Sequence, residues 1–464
     1  MYRISMLFGL SAILSACGGG GGGDTASAPV VTPAPPIIAA EVELDILQAS
    51  PMSQPEGEPV TEAAQEDDAP GAPSDFTEQQ YSPAPSNEHA SASVADAPAG
   101  GNLDALAGTP HVPHVLHVLH VLYVSPSGSD SNPGTLARPF KSIIKAAKAT
   151  RPGSRVLVAP GVYAGGFRTT VSGAANERIM FLSARKWGAK ITPPRNSPNK
   201  TAWDNRGSYV DIIGFEVDGS NYQGGKQWTH GIYNGGSYVS IRNNHVHHVA
   251  HAAPCTRGGG AGIGVDSYYR GVKADVLANL VHDIGPRGCR YVHGIYVSTS
   301  GRIKNNVVYR VAEGGIHLWH DANNVVITNN TVTGSNTGII VGGGDYYHVA
   351  GPNDHTAVYS NIVYDNKMGI SEQGRTGPNN SYRNNLVYQN AKYNWRLQNG
   401  LTHTGTVSAA PLFVDDSRSS TPSLKLNAAS PAVGHGAPDY AESIDFDGRP
   451  RDAKAGYDIG ALQH

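Results

Sequence analysis

The sequence predicts an all-β solenoid, a stack of coils built from short strands, and three observations carry that prediction. An asparagine followed two positions later by valine recurs six times, at Asn244/Val246, Asn279/Val281, Asn306/Val308, Asn330/Val332, Asn361/Val363 and Asn385/Val387. The steps are 35, 27, 24, 31 and 24 residues, a unit near 24 with insertions of variable length. Gly-Ile keeps pace with it at Gly231, Gly262, Gly294, Gly315, Gly338 and Gly369. The intervening segments are rich in Val, Ile, Tyr, Asn and Gly and alternate with period two, which marks strands and argues against helical repeats. A unit of this length cannot bury its apolar face alone and must stack on its neighbours.

Charge divides the chain. Between Arg3 and Arg138 there is no Lys or Arg, and that stretch holds 16 of the 38 acidic residues. From Arg138 onward 34 basic residues face 22 acidic ones, a formal +12 that the whole-chain value of −3 conceals. A basic domain suits an anionic partner. Residues 226–320 alone carry ten basic residues, four acidic ones and nine of the nineteen histidines.

The first 17 residues read as an export signal: Arg3, an apolar run through Leu14, then small residues up to Cys17. Leu14-Ser15-Ala16-Cys17 resembles a bacterial lipobox, which implies lipidation at Cys17. Gly19, rather than Asp, at the second position after it resembles lipoproteins sent to the outer membrane. The apolar run is too short for a persistent transmembrane helix. The expected location is therefore outside the cytoplasm, lipid-anchored at the outer membrane on its periplasmic or surface side. Contact with the membrane is expected only through that lipid.

Residues 18–120 are rich in Gly, Pro, Ala, Ser and Glu, with few aromatics. Such a segment buries too little apolar surface to offset chain ordering and is expected to be a disordered acidic linker. His111, His114, His117 and His120 recur there with period three, which fits neither strand nor helix.

The domain over 121–464 opens on Leu122-Tyr-Val-Ser125. Phe140, Ile143, Ile144 and Ala147 then form a helical face, placed to cover the open end of the stack. Val156-Leu-Val-Ala-Pro-Gly-Val-Tyr163 runs from strand into turn. Tyr123-Val-Ser-Pro-Ser-Gly128, the helix and this strand resemble the entry of right-handed parallel β-helix proteins of the pectate-lyase-like superfamily. The Asn-x-Val and Gly-Ile ladders resemble their coils. Asp445-Phe-Asp-Gly-Arg-Pro450 with Asp458-Ile-Gly-Ala461 resembles their C-terminal closure. The resemblance covers about residues 122–464 and implies a single-stranded right-handed parallel β-helix with an N-terminal capping helix.

The ladder asparagines read as structural, because stacked carboxamides bond along the axis and Asn tolerates the left-handed turn of each coil. Cys255 lies eleven residues after Asn244 and Cys289 ten after Asn279. Equivalent positions in adjacent coils are about 4.8 Å apart, so a disulfide is expected in an exported protein.

Alignment of the Gly-Ile strands yields rows of side chains. If Ile points inward, the Gly before it forms a bare outer strip, and the next outward rows follow by alternation. One row is Tyr233, Gly264, Tyr296, His317, Ile340, Ser371, with Gly264 a notch beside Tyr296; the other is Gly235, Asp266, Ser298, Trp319, Gly342, Gln373. Polar and aromatic residues peak in the third and fourth coils, as a substrate site should. His317 and Tyr296 are therefore the candidate catalytic pair, with His293 and Arg290 beside them. Trp319, His320, Tyr233 and Asp266 are candidate substrate contacts. Arg302, Lys304 and Arg310 are candidates to neutralise a substrate carboxylate. His245, His247, His248 and His251 are dense enough to suggest a metal site with Asp266, although no fixed ligand motif is present.

The resemblance implies a polysaccharide lyase acting on an acidic, uronate-containing glycan: His or Tyr removes the C5 proton, Tyr or His protonates the leaving oxygen, and a cation offsets the carboxylate. A glycoside hydrolase would need paired carboxylates, and Asp266 and Glu372 are four coils apart; loop acids such as Asp345 and Asp354 stay open. A C5-epimerase shares the lyase's first step, and Trp319-His320-Asp321 is faintly similar to the epimerases' Pro-His-Asp/Glu. The Ser-x-Lys-Ser and Arg-His-Gly elements of alginate lyases and chondroitinases of this fold are absent. A non-enzymatic glycan-binding surface lipoprotein is the other class. The expected partner is an acidic polysaccharide and not nucleic acid, the protein is expected to be a monomer, and a need for Ca²⁺ stays open.

Overall fold

The structure, a computed structural model, describes residues 120–464 apart from 257, 418–420, 452, 454 and 455. The signal segment with Cys17 and the linker up to residue 119 lie outside the described residues. Each coil contributes one strand to each of three parallel sheets, forming a right-handed parallel β-helix. The first sheet holds eleven strands, from Val121–Val124 to His403–Thr404. The second holds nine, from Gly161–Ala164 to Leu386–Tyr388, and the third nine, from Phe167–Thr169 to Tyr393–Arg396.

Alternation decides what fills the interior. The valines of the Asn-x-Val phrase form one inward column on the second sheet, in register from Val246 through Val387. The isoleucines of Gly-Ile form another on the third sheet, from Ile232 through Ile370. All of these side chains are fully buried, each worth about 1.5–3 kcal/mol of transfer free energy. The capping helix is Ile143–Ala149, burying Ile143, Ala146 and Ala147. It starts later than the apolar pattern suggested because Phe140 bridges to Val124 and the Ser142 side chain accepts the Lys145 N–H as N-cap.

The asparagine ladder is continuous. The Oδ1 of each rung accepts the backbone N–H and the Nδ2 of the previous rung, from Asn244 through Asn385, at 2.9–3.1 Å. The left-handed residue, however, is the one before each rung: Asn243, Ala278, Asn305, Asn329, Ser360 and Asn384 have φ between 51 and 57°. The ladder side chain points inward, so the corner is turned one residue earlier.

A second difference concerns the glycine row. Sheet pairing skips the Gly of every Gly-Ile, and a Cβ at Gly231, Gly262, Gly294, Gly315 or Gly338 would lie 2.3–2.8 Å from Cγ1 of the inward valine of its own coil. The strand kinks there, Gly and Ile both face inward, and the bare outer strip expected from strict alternation does not exist. The kink also returns the residue before Gly to the outer face.

The closing segment does not cap the end of the stack. The described residues of 411–464 lie along its flank, where Phe413, Leu424, Leu426, Phe446 and Ile459 cluster with Val307, Tyr309, Ile362 and Leu386. The corner residues receive it. Asn305 donates to Ile444 O, Asn329 to Asp458 O, Asn384 to His435 O, and Gly460 N–H donates to Ser360 O. The Cys255–Cys289 disulfide is present, with Cα atoms 5.4 Å apart, and joins the insertions that precede two adjacent third-sheet strands.

Candidate active site

The outer face of the third sheet gathers the candidate residues. Register sets Arg168, Asp204, Tyr233, Gly264, Tyr296, His317, Ile340 and Ser371 in one row. Tyr296 and His317 are direct neighbours on strands Val292–Val297 and Gly314–Leu318, with ring centroids 5.3 Å apart and edge-to-face. The kink at Gly294 brings His293 onto the same face. Its ring lies 5.2 Å from Tyr296 and 4.2 Å from His317. Nδ1 of His317 sits 3.1 and 3.2 Å from the two nitrogens of His293, while Nε2 is buried with no hydrogen-bond partner.

Burial sets the protonation states. It drives the His317 imidazole well below its usual range, with His293 and His320 adding to the effect. It lowers His293 to about 3, helped by His230. Burial, followed by the Asp266 and Tyr347 charges, pushes the Tyr296 phenol well above 10. At neutral pH the cluster therefore holds two neutral imidazoles and a protonated phenol.

Trp319 lies against the next coils, where a Cβ at Gly342 would come 2.7 Å from its ring. His320 is stacked on Tyr347 at 4.0 Å, and its Nε2 is 2.8 Å from the Tyr347 hydroxyl. The loop carrying Tyr347 is pinned by Asp321, which accepts the N–H groups of Tyr347 and His348. Tyr233 donates its hydroxyl to Asp266 at 2.7 Å. The expected notch at Gly264 is filled, because His230 Cδ2 lies 3.2 Å from where its Cβ would be.

Several expected residues are elsewhere. Arg302 and Lys304 lie on the first sheet, Arg302 paired with Asp275 at 2.7 Å and Lys304 with Glu442 at 3.0 Å. Arg310 is on the second sheet, bound to Asp283. Each is held by an acid contributed by another coil or by the closing segment, which sequence spacing does not reveal. Arg290 stands at the entry of the His293 strand, over Tyr291 at 5.0 Å. Glu372, expected on the outer face, instead faces inward and accepts from Asn380, Tyr382 and Gln398. Asp266 is likewise remote from the histidine cluster, which occupies the second sheet.

The cation on this face is one that sequence reading missed. Arg206 binds Asp204 at 2.6 Å and lies 3.5 Å over the Tyr269 ring and 4.8 Å from Tyr233. Arg168 holds the same carboxylate at 2.7 Å, leaving one net positive charge, and Nη1 of Arg206 is buried without a partner. Extending the outward rows one coil before the first Gly-Ile would have found Arg206, and a second coil Arg168. On this face Asp266 accepts from Tyr233 and from the Tyr268 N–H. Among the described residues, the groups able to gather three metal ligands all lie on the second sheet or the residue that follows it.

Residues 199–353 match the family model described as a right-handed beta helix region, and residues 126–169 match one described as a protein of unknown function. No curated protein matches the chain in sequence. Solved structures similar to it include pectate lyase Pel9A, 17% identical, covering 74% of this chain and 96% of that one, with a TM-score of 0.49. A rhamnogalacturonan lyase is 15% identical over 67% of this chain and 95% of its own, TM-score 0.43. The mannuronan C-5 epimerase AlgE4 A-module of Azotobacter vinelandii is 16% identical over 57% and 69%, TM-score 0.39. These likenesses are of fold.

Proposed function

We propose that the third-sheet groove cleaves a uronate-containing polysaccharide by β-elimination, with His317 as base and Tyr296 as acid. The observation that carries this reading is the orphaned Nε2 of His317, beside a protonated tyrosine and backed by a neutral histidine. When His317 gives its Nδ1 proton to the His293 hydrogen bond, the Nε2 lone pair is free to take a proton. In the step, the sugar C5–H proton moves to Nε2, its electron pair forms the C4–C5 double bond, and the C4–O bond breaks. The leaving oxygen takes the Tyr296 proton. A buried, preformed pair loses little to solvent reorganisation.

Arg206, with its unpartnered Nη1, would hold a substrate carboxylate. Trp319 would present its face to a sugar ring. Nε2 is shielded in the ligand-free protein, so binding must displace a side chain. The reading also includes export and anchoring through Cys17 at the outer membrane, where such a glycan would be met.

The test is ultraviolet absorbance of the unsaturated uronate while the purified protein digests a panel of acidic polysaccharides, with and without a chelator. Rising absorbance supports the lyase. New reducing ends without it indicate a hydrolase, C5 inversion without cleavage an epimerase, and binding with neither a glycan-binding surface protein. Any of these three outcomes rejects the elimination.

A further inference from the structure

On the second sheet, away from the groove, three imidazoles converge. His245 and His247 project from the same face of strand His245–His247, and His282 of strand Leu280–Ile284 pairs directly with His247. His245 Nε2 and His282 Nε2 are 2.7 Å apart, and one nitrogen from each of the three rings lies within 4.8 Å of the others. We propose that His245, His247 and His282 form a binding site for one divalent transition-metal ion of the zinc or copper type. This site is independent of the glycan-cleaving reading.

The surroundings are those of a metal centre. Asp283 bonds the far nitrogen of His282, Nδ1, at 2.6 Å, which leaves Nε2 with its lone pair toward His245. Arg310 holds both oxygens of Asp283 at 2.7 Å, so the orienting carboxylate is itself fixed. Glu216 bonds His247 at 3.0 Å. Carboxylates behind ligating histidines set tautomer and ring orientation. The Tyr309 ring stacks against His282 at 4.6 Å, giving the site an apolar floor.

Donor chemistry selects the ion. Lys190 engages both Glu216 and Asp218, so imidazole nitrogens are the available donors, which suit zinc or copper and not calcium or magnesium. Two nitrogens at a zinc–nitrogen distance of about 2.0–2.1 Å stand roughly 3.3 Å apart in a tetrahedral site, so loading asks for a shift of well under 1 Å in this pair.

The experiment is calorimetric titration of the chelator-stripped full chain with zinc at neutral pH, in a background where His111, His114 and His117 are changed to Ser. One equivalent is expected to bind. His245→Gln and His282→Gln should each weaken it by about 100-fold or more, and Asp283→Asn, a positioning change, by about 10–100-fold. Circular dichroism of the metal-free variants monitors the fold, and Asp283→Asn keeps the test open should a histidine variant misfold. The inference is overturned by absence of stoichiometric binding in that background. It is also overturned by affinity that is indifferent to His245, His282 and Asp283, or that depends on Asp218 and His248 alone.

Discussion

Asn306 is the rung that joins the coil carrying Tyr296 to the coil carrying His317, and its replacement by alanine tests the ladder directly. Its carboxamide accepts from Asn279 N at 2.9 Å and from Asn279 Nδ2 at 3.0 Å. It donates to Val276 O at 2.8 Å and to Asn330 Oδ1 at 2.9 Å. All of these atoms are buried, so water does not replace the lost partners. At about 1 kcal/mol net per bond, with further cost for the stranded Asn279 N–H, Asn306→Ala should destabilise by about 4–5 kcal/mol. Asn385, the last rung, accepts the same pair from Asn361 but donates only to Val358 O, so Asn385→Ala should cost about 1 kcal/mol less. The assay is the denaturant midpoint followed by tryptophan fluorescence, compared at equal slope. A loss below about 1 kcal/mol at Asn306, or equal losses at the two positions, would refute the argument that the ladder contributes through buried bond count.

The remaining predictions concern the site and its support. His317→Ala and Tyr296→Phe should each lower turnover by about 10²–10⁴-fold with the melting temperature retained, the usual range for a lost proton-transfer group; Arg302→Ala and Lys304→Ala should leave KM unchanged in the same assay. The base must be unprotonated and its pKa is depressed, so kcat/KM should persist below pH 6.5. The acid must be protonated and its pKa is raised, so the alkaline limb should lie above pH 10. A fall-off centred near 6.5 would show that neither buried histidine is the base. Reducing the Cys255–Cys289 bridge, which spans 34 residues, should cost about 4 kcal/mol on the loop-entropy estimate, and an unchanged denaturant midpoint would contradict it.

Most of the coil architecture was readable because two periodicities coincide: the two-residue alternation of a strand and a recurring Asn-x-Val. Asn-x-Val placed Cys255 beside Cys289, and the Gly-Ile phrase that keeps pace with it placed Tyr296 opposite His317, without coordinates. Alternation failed where the backbone kinks. Gly294 faces inward although strict counting turns it outward, and His293 joins Tyr296 although the two are three residues apart. Charges were legible as composition and not as contacts. Lys304 is neutralised by Glu442, which lies far along the chain in the closing segment. Arg206 was passed over because its coil has Trp203 where later coils have Gly-Ile. Tyr347 arrives from an insertion whose path Asp321 fixes through backbone N–H groups, a bond with no sequence signature.

The way residues 435–460 engage Asn305, Asn329, Ser360 and Asn384 bears on how such a molecule can change in length. A repetitive stack can lengthen or shorten by whole windings when a gene segment is duplicated or deleted. Here a non-repetitive strap grips four consecutive windings at fixed intervals, so an extra or missing one in that span would leave the strap out of step with its anchor points. Copy number is thereby frozen beneath the strap, and because Phe446 also meets Trp187, tolerance for added windings should begin only upstream of Trp187.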